Sequence, residues 1–175
     1  MKNTVKTAAL LLLALAFALG AFACNKKPSG EPDKTEAPAK DYDVDELARK
    51  IAEGCTFEDE YLALVEDRDF SLKSRNIDAA LVDGPEGSKQ AAIYASSSTP
   101  EMVVCIKAVD EASAEKVLEA VKTLINDYAT NYSTYGPEQV EKLESAVEVV
   151  RGRYVIVAVT AQNQAAETFI NTVLE

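Results

Sequence analysis

Apolar residues recur along this chain with different periods, and each period marks a different kind of segment. Val44, Leu47, Ala48, Ile51, Ala52 and Cys55 fall at helical spacing, which predicts a helix over residues 43–54 with one stripe turned to a core. Asp43-Val-Asp-Glu46 is a capping box in carboxylate form, Asp43 accepting from the first-turn amides and Glu46 reaching back. Residues 56–87 are looser, with an apolar patch at Phe57, Tyr61, Leu62, Leu64 and Val65, then Phe70, Leu72 and Ile77. An extended stretch and a short helix are expected there, closed by the turn cluster Asp83-Gly84-Pro85-Glu86-Gly87.

The second half reads more sharply. Residues 90–97 and 102–109 read as two strands joined across Ser98, Thr99 and Pro100, with a long helix over 111–131. Residues 146–150 and 153–160 read as a second hairpin over Arg151-Gly152, followed by a helix over 163–174. The first helix carries one apolar stripe, Ala114, Val117, Leu118, Val121, Leu124, Ile125 and Tyr128, and the second another, Ala166, Phe169, Ile170 and Val173. Each therefore covers one sheet face. Val155 to Val159 are apolar without alternation, as in a central strand shielded on both sides, and the Asp43 helix or the segment after it is the natural second cover. Pro137 starts a short helix through Val140 and Leu143. The expected fold is α+β, an antiparallel sheet of about four strands in two hairpins, covered by amphipathic helices. Both halves run strand, strand, helix; a shift of 52 residues aligns Val103 with Val155, Ala114 with Ala166, Glu115 with Glu167 and Val121 with Val173, a candidate internal repeat.

Ahead of this domain, Lys2 and Lys6 precede an apolar run over residues 8–19 and then Gly20, the layout of a secretory signal. Ala21-Phe22-Ala23-Cys24 resembles the lipobox of bacterial lipoproteins, in which the cysteine thiol takes a diacylglycerol before the leader is removed. The expected organisation is a signal peptide over 1–23, a lipidated Cys24 and tether over 24–42, and a domain over 43–175. The membrane is then a partner through the lipid on Cys24, and the protein lies on the extracytoplasmic face of the cell membrane.

Charge narrows the partners further. Removing Lys2 and Lys6 with the leader leaves 16 basic against 29 acidic side chains, a formal charge of −13. Residues 25–41 hold four of each sign and three prolines, so they read as a tether, and the acidic excess belongs to the domain. Such a field disfavours nucleic acid and attracts cations, cationic peptides or a basic protein face.

Candidate chemistry is sparse. The chain has no histidine, which removes Ser-His and Cys-His pairs and the usual zinc sets, so no metal or cofactor is expected. Ser113-Ala-Glu-Lys116 matches the Ser-x-x-Lys pattern, yet Ser-Asp-Asn and Lys-Thr-Gly are absent, and Ser113 reads as a residue of the first helical turn. Asp41, Asp43 and Asp45 alternate like a calcium loop, but Glu46 and Ala52 stand where glycine and glutamate are required. Glu58-Asp59-Glu60 reads as a solvated face, and Ser96 to Thr99 as a hairpin loop. No catalytic residue is assigned. Tyr128 and Tyr132, one helical turn apart, and Tyr135, beside Gly136-Pro137, are either the closing end of the core or a binding patch for sugar or peptide. Cys55 and Cys105, on apolar faces of an exported protein, are a candidate disulfide or a pair of unlinked core thiols.

Three short motifs occur in order: Lys107-Ala108-Val109-Asp110, Tyr135-Gly136-Pro137-Glu138-Gln139 and Val149-Val150-Arg151-Gly152-Arg153-Tyr154-Val155. With them the chain resembles an uncharacterised lipoprotein family of Gram-positive bacteria, domain of unknown function 4358, over roughly 43–175. Arg153 stands where that family would have Asn. The resemblance implies an exported, lipid-anchored protein without an assigned function. The functional expectation is a non-catalytic binding or interaction module of the cell envelope, its partner a protein, peptide or small molecule. The alternatives are a ligand carrier or transporter-linked solute-binding lipoprotein, and a small carboxylate-dependent envelope enzyme.

Overall fold

The computed structural model describes residues 40–60 and 62–175. The expected signal peptide, Cys24 and the expected tether up to residue 39 lie outside them. Helix α1 (Val44–Gly54) starts where the capping signal placed it, with Asp43 Oδ1 accepting from the Glu46 amide at 2.8 Å. The expected return bond from Glu46 is replaced by an ion pair one turn on, 2.7 Å to Lys50. The loose segment forms β1 (Ala63–Leu64), α2 (Arg68–Ser74), capped by Asp67, and a 3-10 turn at Ala79–Leu81, capped by Asp78. Then come β2 (Ala91–Ala95), β3 (Met102–Lys107) and α3 (Glu111–Tyr135). A 3-10 turn at Pro137–Gln139 leads into α4 (Val140–Glu144), β4 (Val147–Arg151), β5 (Tyr154–Val159) and α5 (Asn163–Val173).

The sheet has five antiparallel strands in the order β1-β2-β3-β5-β4. The strand beyond the expected four is β1, whose two residues pair Ala63 with Ala95 and Leu64 with Tyr94. The second hairpin turns one residue later than expected, on Gly152-Arg153, because Arg151 pairs with Tyr154 and Gly152 supplies the positive φ of 55°.

The alternation of side chains sorts the core into two layers. Val104, Ile106, Val155 and Val157 face α3 through Val117, Val121 and Ile125. Val103, Cys105, Ile156 and Ala158 face α1 and α5 through Ile51 and Ile170. This is why β5 reads as an unbroken apolar run: all six of its residues are buried. Full burial of such Val and Ile side chains contributes about 1.5–3 kcal/mol each, so the central pair β3–β5 is the stable spine of the fold.

The strand-strand-helix order recurs, but not as a spatial repeat. Adjacent and antiparallel, β3 and β5 could be exchanged only by a twofold axis normal to the sheet, which keeps both helices on one face. Instead α3 and α5 lie on opposite faces, and the 52-residue shift matches Val103 on one face with Val155 on the other. The halves have opposite hand, and no rotation superposes them.

Candidate functional site

Four connections meet at the end of the sheet where β3 begins, and a buried carboxylate ties three of them together. Glu101, immediately before β3, has a side chain with no exposure. Its oxygens accept from the amides of Glu58 (2.9 and 3.0 Å) and Asp59 (3.0 Å) and from Thr99 Oγ1 (3.1 Å). Lys142 of α4 closes the set at 3.1 Å and also meets Glu58 at 2.9 Å, which holds the Glu58 carboxyl below its ordinary range. Beside it Asp59 is buried, accepting from Ser98 Oγ at 2.9 Å and from Ser96 Oγ. Ser96 Oγ in turn accepts from the amides of Ser98 (3.0 Å) and Thr99 (2.8 Å). The Glu58-Asp59-Glu60 run is therefore not a solvated face throughout, because Asp59 is the acceptor that orders the β2–β3 loop. A buried carboxylate whose two oxygens both accept from protein donors fixes geometry and is already engaged within the protein.

The three tyrosines divide. Tyr128 and Tyr132 are half-buried against the α3 layer, whereas Tyr135 is 71% exposed. The Tyr132 and Tyr135 rings meet in a tilted contact, with centroids 5.1 Å apart and planes inclined by 43°. Burial, then the neighbouring phenols, push the Tyr132 pKa up, and Lys142 opposes them. Gly136 is required by close approach, since a Cβ there would lie 2.8 Å from Tyr132 Cδ1. The same point is 3.5 Å from Glu138 Oε1, so ring and carboxylate flank one glycine.

At the opposite end of the sheet, where β3 stops and β5 starts, the chain is clamped. Asp41 Oδ1 accepts from Lys107 Nζ at 2.7 Å and from the Tyr154 hydroxyl, which together hold its carboxyl below the ordinary range. The Tyr42 amide donates to Tyr154 OH (3.0 Å), and the Tyr42 hydroxyl donates to the Leu174 carbonyl (2.6 Å). Tyr42 and Tyr154 meet edge to face at 5.2 Å, with Lys40 over one ring and Lys107 over the other, each at 5.5 Å. The docked chain thus begins at Asp41, two residues earlier than the expected boundary.

Cys55 and Cys105 are both free, so the candidate disulfide is not formed. Cys55 ends α1 beside Thr56, whose carbonyl accepts from Ala161 at the Glu101 end; Cys105 lies three residues into β3, towards the clamp. Burial pushes the Cys55 thiol up to about 11 and raises that of fully buried Cys105 as well. Alkylation of the denatured, unreduced protein is expected to label both cysteines, and in the native state Cys105 is expected to stay unlabelled; recovery of an unlabelled, linked pair would contradict this. Ser113 sits in the first turn of α3, its amide bonded to Asp110 at 2.7 Å.

Among the described residues, open grooves on the surface include two of similar size. One of about 730 Å³ runs between the start of β4 and α5, past Val147, Glu148, Asn163 and Glu167. The other, about 670 Å³, lies beside α2 along Lys73, Asn76 and Ile77. Among the described residues no group of three acidic or cysteine side chains is placed to hold a metal ion, and no helix is long and apolar enough to cross a membrane.

The model of a family described as a domain of unknown function (DUF4358) matches residues 67–160, more than half of the 175-residue chain. No curated protein and no solved structure matches it. The matched span runs from the cap of α2 to the end of β5 and contains Glu101, Lys142, Tyr132 and Tyr135. It stops short of α1 and α5, the two helices that cover one face of the sheet.

Proposed function

Since the chain belongs to the DUF4358 family, whose description assigns no reaction, we propose from its own residues that it is a non-catalytic interaction module of a bacterial cell envelope, exported and lipid-anchored at Cys24. The basic and apolar leader and the small residues before Cys24 support the anchor. The contact surface is the end of α3. The observation that carries this reading is the exposed Tyr135 ring packed at a tilt against Tyr132, at the end of the sheet opposite the Asp41 clamp where the docked chain begins. A tether attached at the clamp leaves that end of the domain free to meet a partner.

The catalytic alternative needs a carboxyl group kept protonated near neutral pH, and the carboxyls whose pKa is shifted move the other way. The pKa values of Asp41, Glu46, Glu58 and Asp110 are all lowered, chiefly by hydrogen bonds from Lys107, Lys50, Lys142 and Ser113 respectively. Both grooves are open, a form suited to contact with a macromolecule more than to enclosing a small solute.

A photo-crosslinking residue in place of Tyr135, in cells producing the full chain, is expected to give discrete adducts. The same residue in place of Glu111, at the clamp end of α3, is expected to give none. Equal labelling from both positions, or none from Tyr135, would remove the support for this surface.

A further inference from the structure

The two ends of the sheet use the same chemical parts, and one end lacks a member. At the clamp, a tyrosine ring, a carboxylate and an ammonium close on each other: Tyr154, Asp41 and Lys107. At the tip of α3 the rings are Tyr132 and Tyr135 and the carboxylate is Glu138, all three around Gly136. Among the described residues no lysine or arginine stands over either ring; Lys142 is turned to Glu58 and Glu101 with its side chain 9% exposed.

The surroundings favour a cation from outside. The connections at this end, residues 54–62, 96–101, 136–146 and 160–162, contain Lys142 as their one basic residue. Against it stand Glu58, Asp59, Glu60, Glu101, Glu138, Glu141 and Glu144. The 25-residue α3 also ends here, and the C-terminus of a helix carries partial negative charge. A guanidinium or ammonium over a tyrosine face gains about 0.5–1 kcal/mol at an exposed site, and a carboxylate at its rim adds a charge-assisted hydrogen bond.

Resting on the interaction reading above, we infer that the Tyr132–Tyr135–Glu138 tip receives a cationic side chain, arginine above lysine, from an extended basic segment of a partner protein. Arginine fits better because its planar group stacks on a ring while its edge bonds a carboxylate. A sugar would also stack on the rings and could donate hydroxyls to Glu138, but being neutral it would gain no charge attraction from the acidic surround.

The test is a titration of the full chain in nonionic micelles, with tyrosine rings isotopically labelled, followed by NMR. The probes are a blocked glycine-serine peptide with three arginines, the same peptide with citrulline at those positions, and a tetramer of N-acetylglucosamine. The arginine peptide is expected to shift the Tyr132 and Tyr135 rings and to weaken as salt is raised, with the citrulline peptide silent. Tyr135→Ala and Glu138→Gln are each expected to weaken binding about fivefold, the size of one exposed cation–π or charged contact, while Glu115→Gln on the far turns of α3 leaves it unchanged. Binding that survives both tip variants is general attraction to an acidic protein and overturns the inference, as does a citrulline peptide that binds equally well. Ring shifts caused by the sugar alone overturn the cationic partner yet leave Tyr135 a contact surface, whereas crosslinking that fails at Tyr135 removes the surface itself.

Discussion

Lys142→Met is expected to lower the unfolding free energy by about 3 kcal/mol, the low end of what is lost when one partner of a buried ion pair is removed. The methionine keeps most of the largely buried aliphatic stem, so the loss falls on the charge. Glu101 would remain wholly buried with its amide and hydroxyl donors but without a counter-ion. Urea unfolding measures this directly, with an unchanged m-value marking a change of stability and not of compactness. Glu141→Gln, one residue away and exposed, serves as the control and is expected to stay within about 0.5 kcal/mol. A Lys142→Met loss as small as the control's would mean that the cluster does not hold the loops together. Because Lys142 also faces Glu58, the variant should free the 56–60 segment, seen as faster amide exchange at Glu58 and Asp59.

Cys24→Ser carries the largest effect outside the folded domain. A diacylglyceryl group brings two acyl chains, and at about 0.8 kcal/mol per buried methylene two chains hold a protein durably where one does not. The parent is expected in the membrane fraction. The variant is expected in the soluble fraction or as an uncut precursor of lower mobility. A variant that fractionates and migrates like the parent would contradict lipidation at Cys24.

What the chain discloses by itself follows from how far apart the interacting residues lie. Helices α1, α3 and α5 and the four longer strands depend on neighbours within a few positions, so spacing and caps such as Asp43 and Asp110 reveal them. Strand β1 was legible only as an extended stretch, because two residues cannot show an alternation. Helix α3 runs four residues past its expected end since Tyr132 and Tyr135 continue it until Gly136 and Pro137 stop it. The illusion of a repeat has the same origin: alternation and helical periods produce matching apolar positions in any two such segments, and they are blind to which face a helix takes.

The Glu101 site was hidden for a different reason. Its main donors are the amides of Glu58 and Asp59, which every residue type except proline possesses, and they lie 43 and 42 positions away. One signal was nonetheless present, a single lysine among seven acidic residues in the connections of that end. A lone base in such company is more informative than the acids around it. The tyrosine patch was legible as residues but not as geometry, since only the fold separates half-buried Tyr128 from exposed Tyr135.

The Asp41 clamp also sets how the domain would bear mechanical load. Were the chain anchored at Cys24 and held by a partner at Tyr135, a pull would enter at Asp41, beside the ends of β3 and β5, and be resisted from the far end of the same sheet. Such a load would meet the Asp41 contacts with Lys107 and Tyr154 first, and after them Tyr42 and the packing of α1 on its face of the sheet. Being solvent-exposed at Asp41, the clamp yields first and acts as slack, sparing the central strands until it has opened.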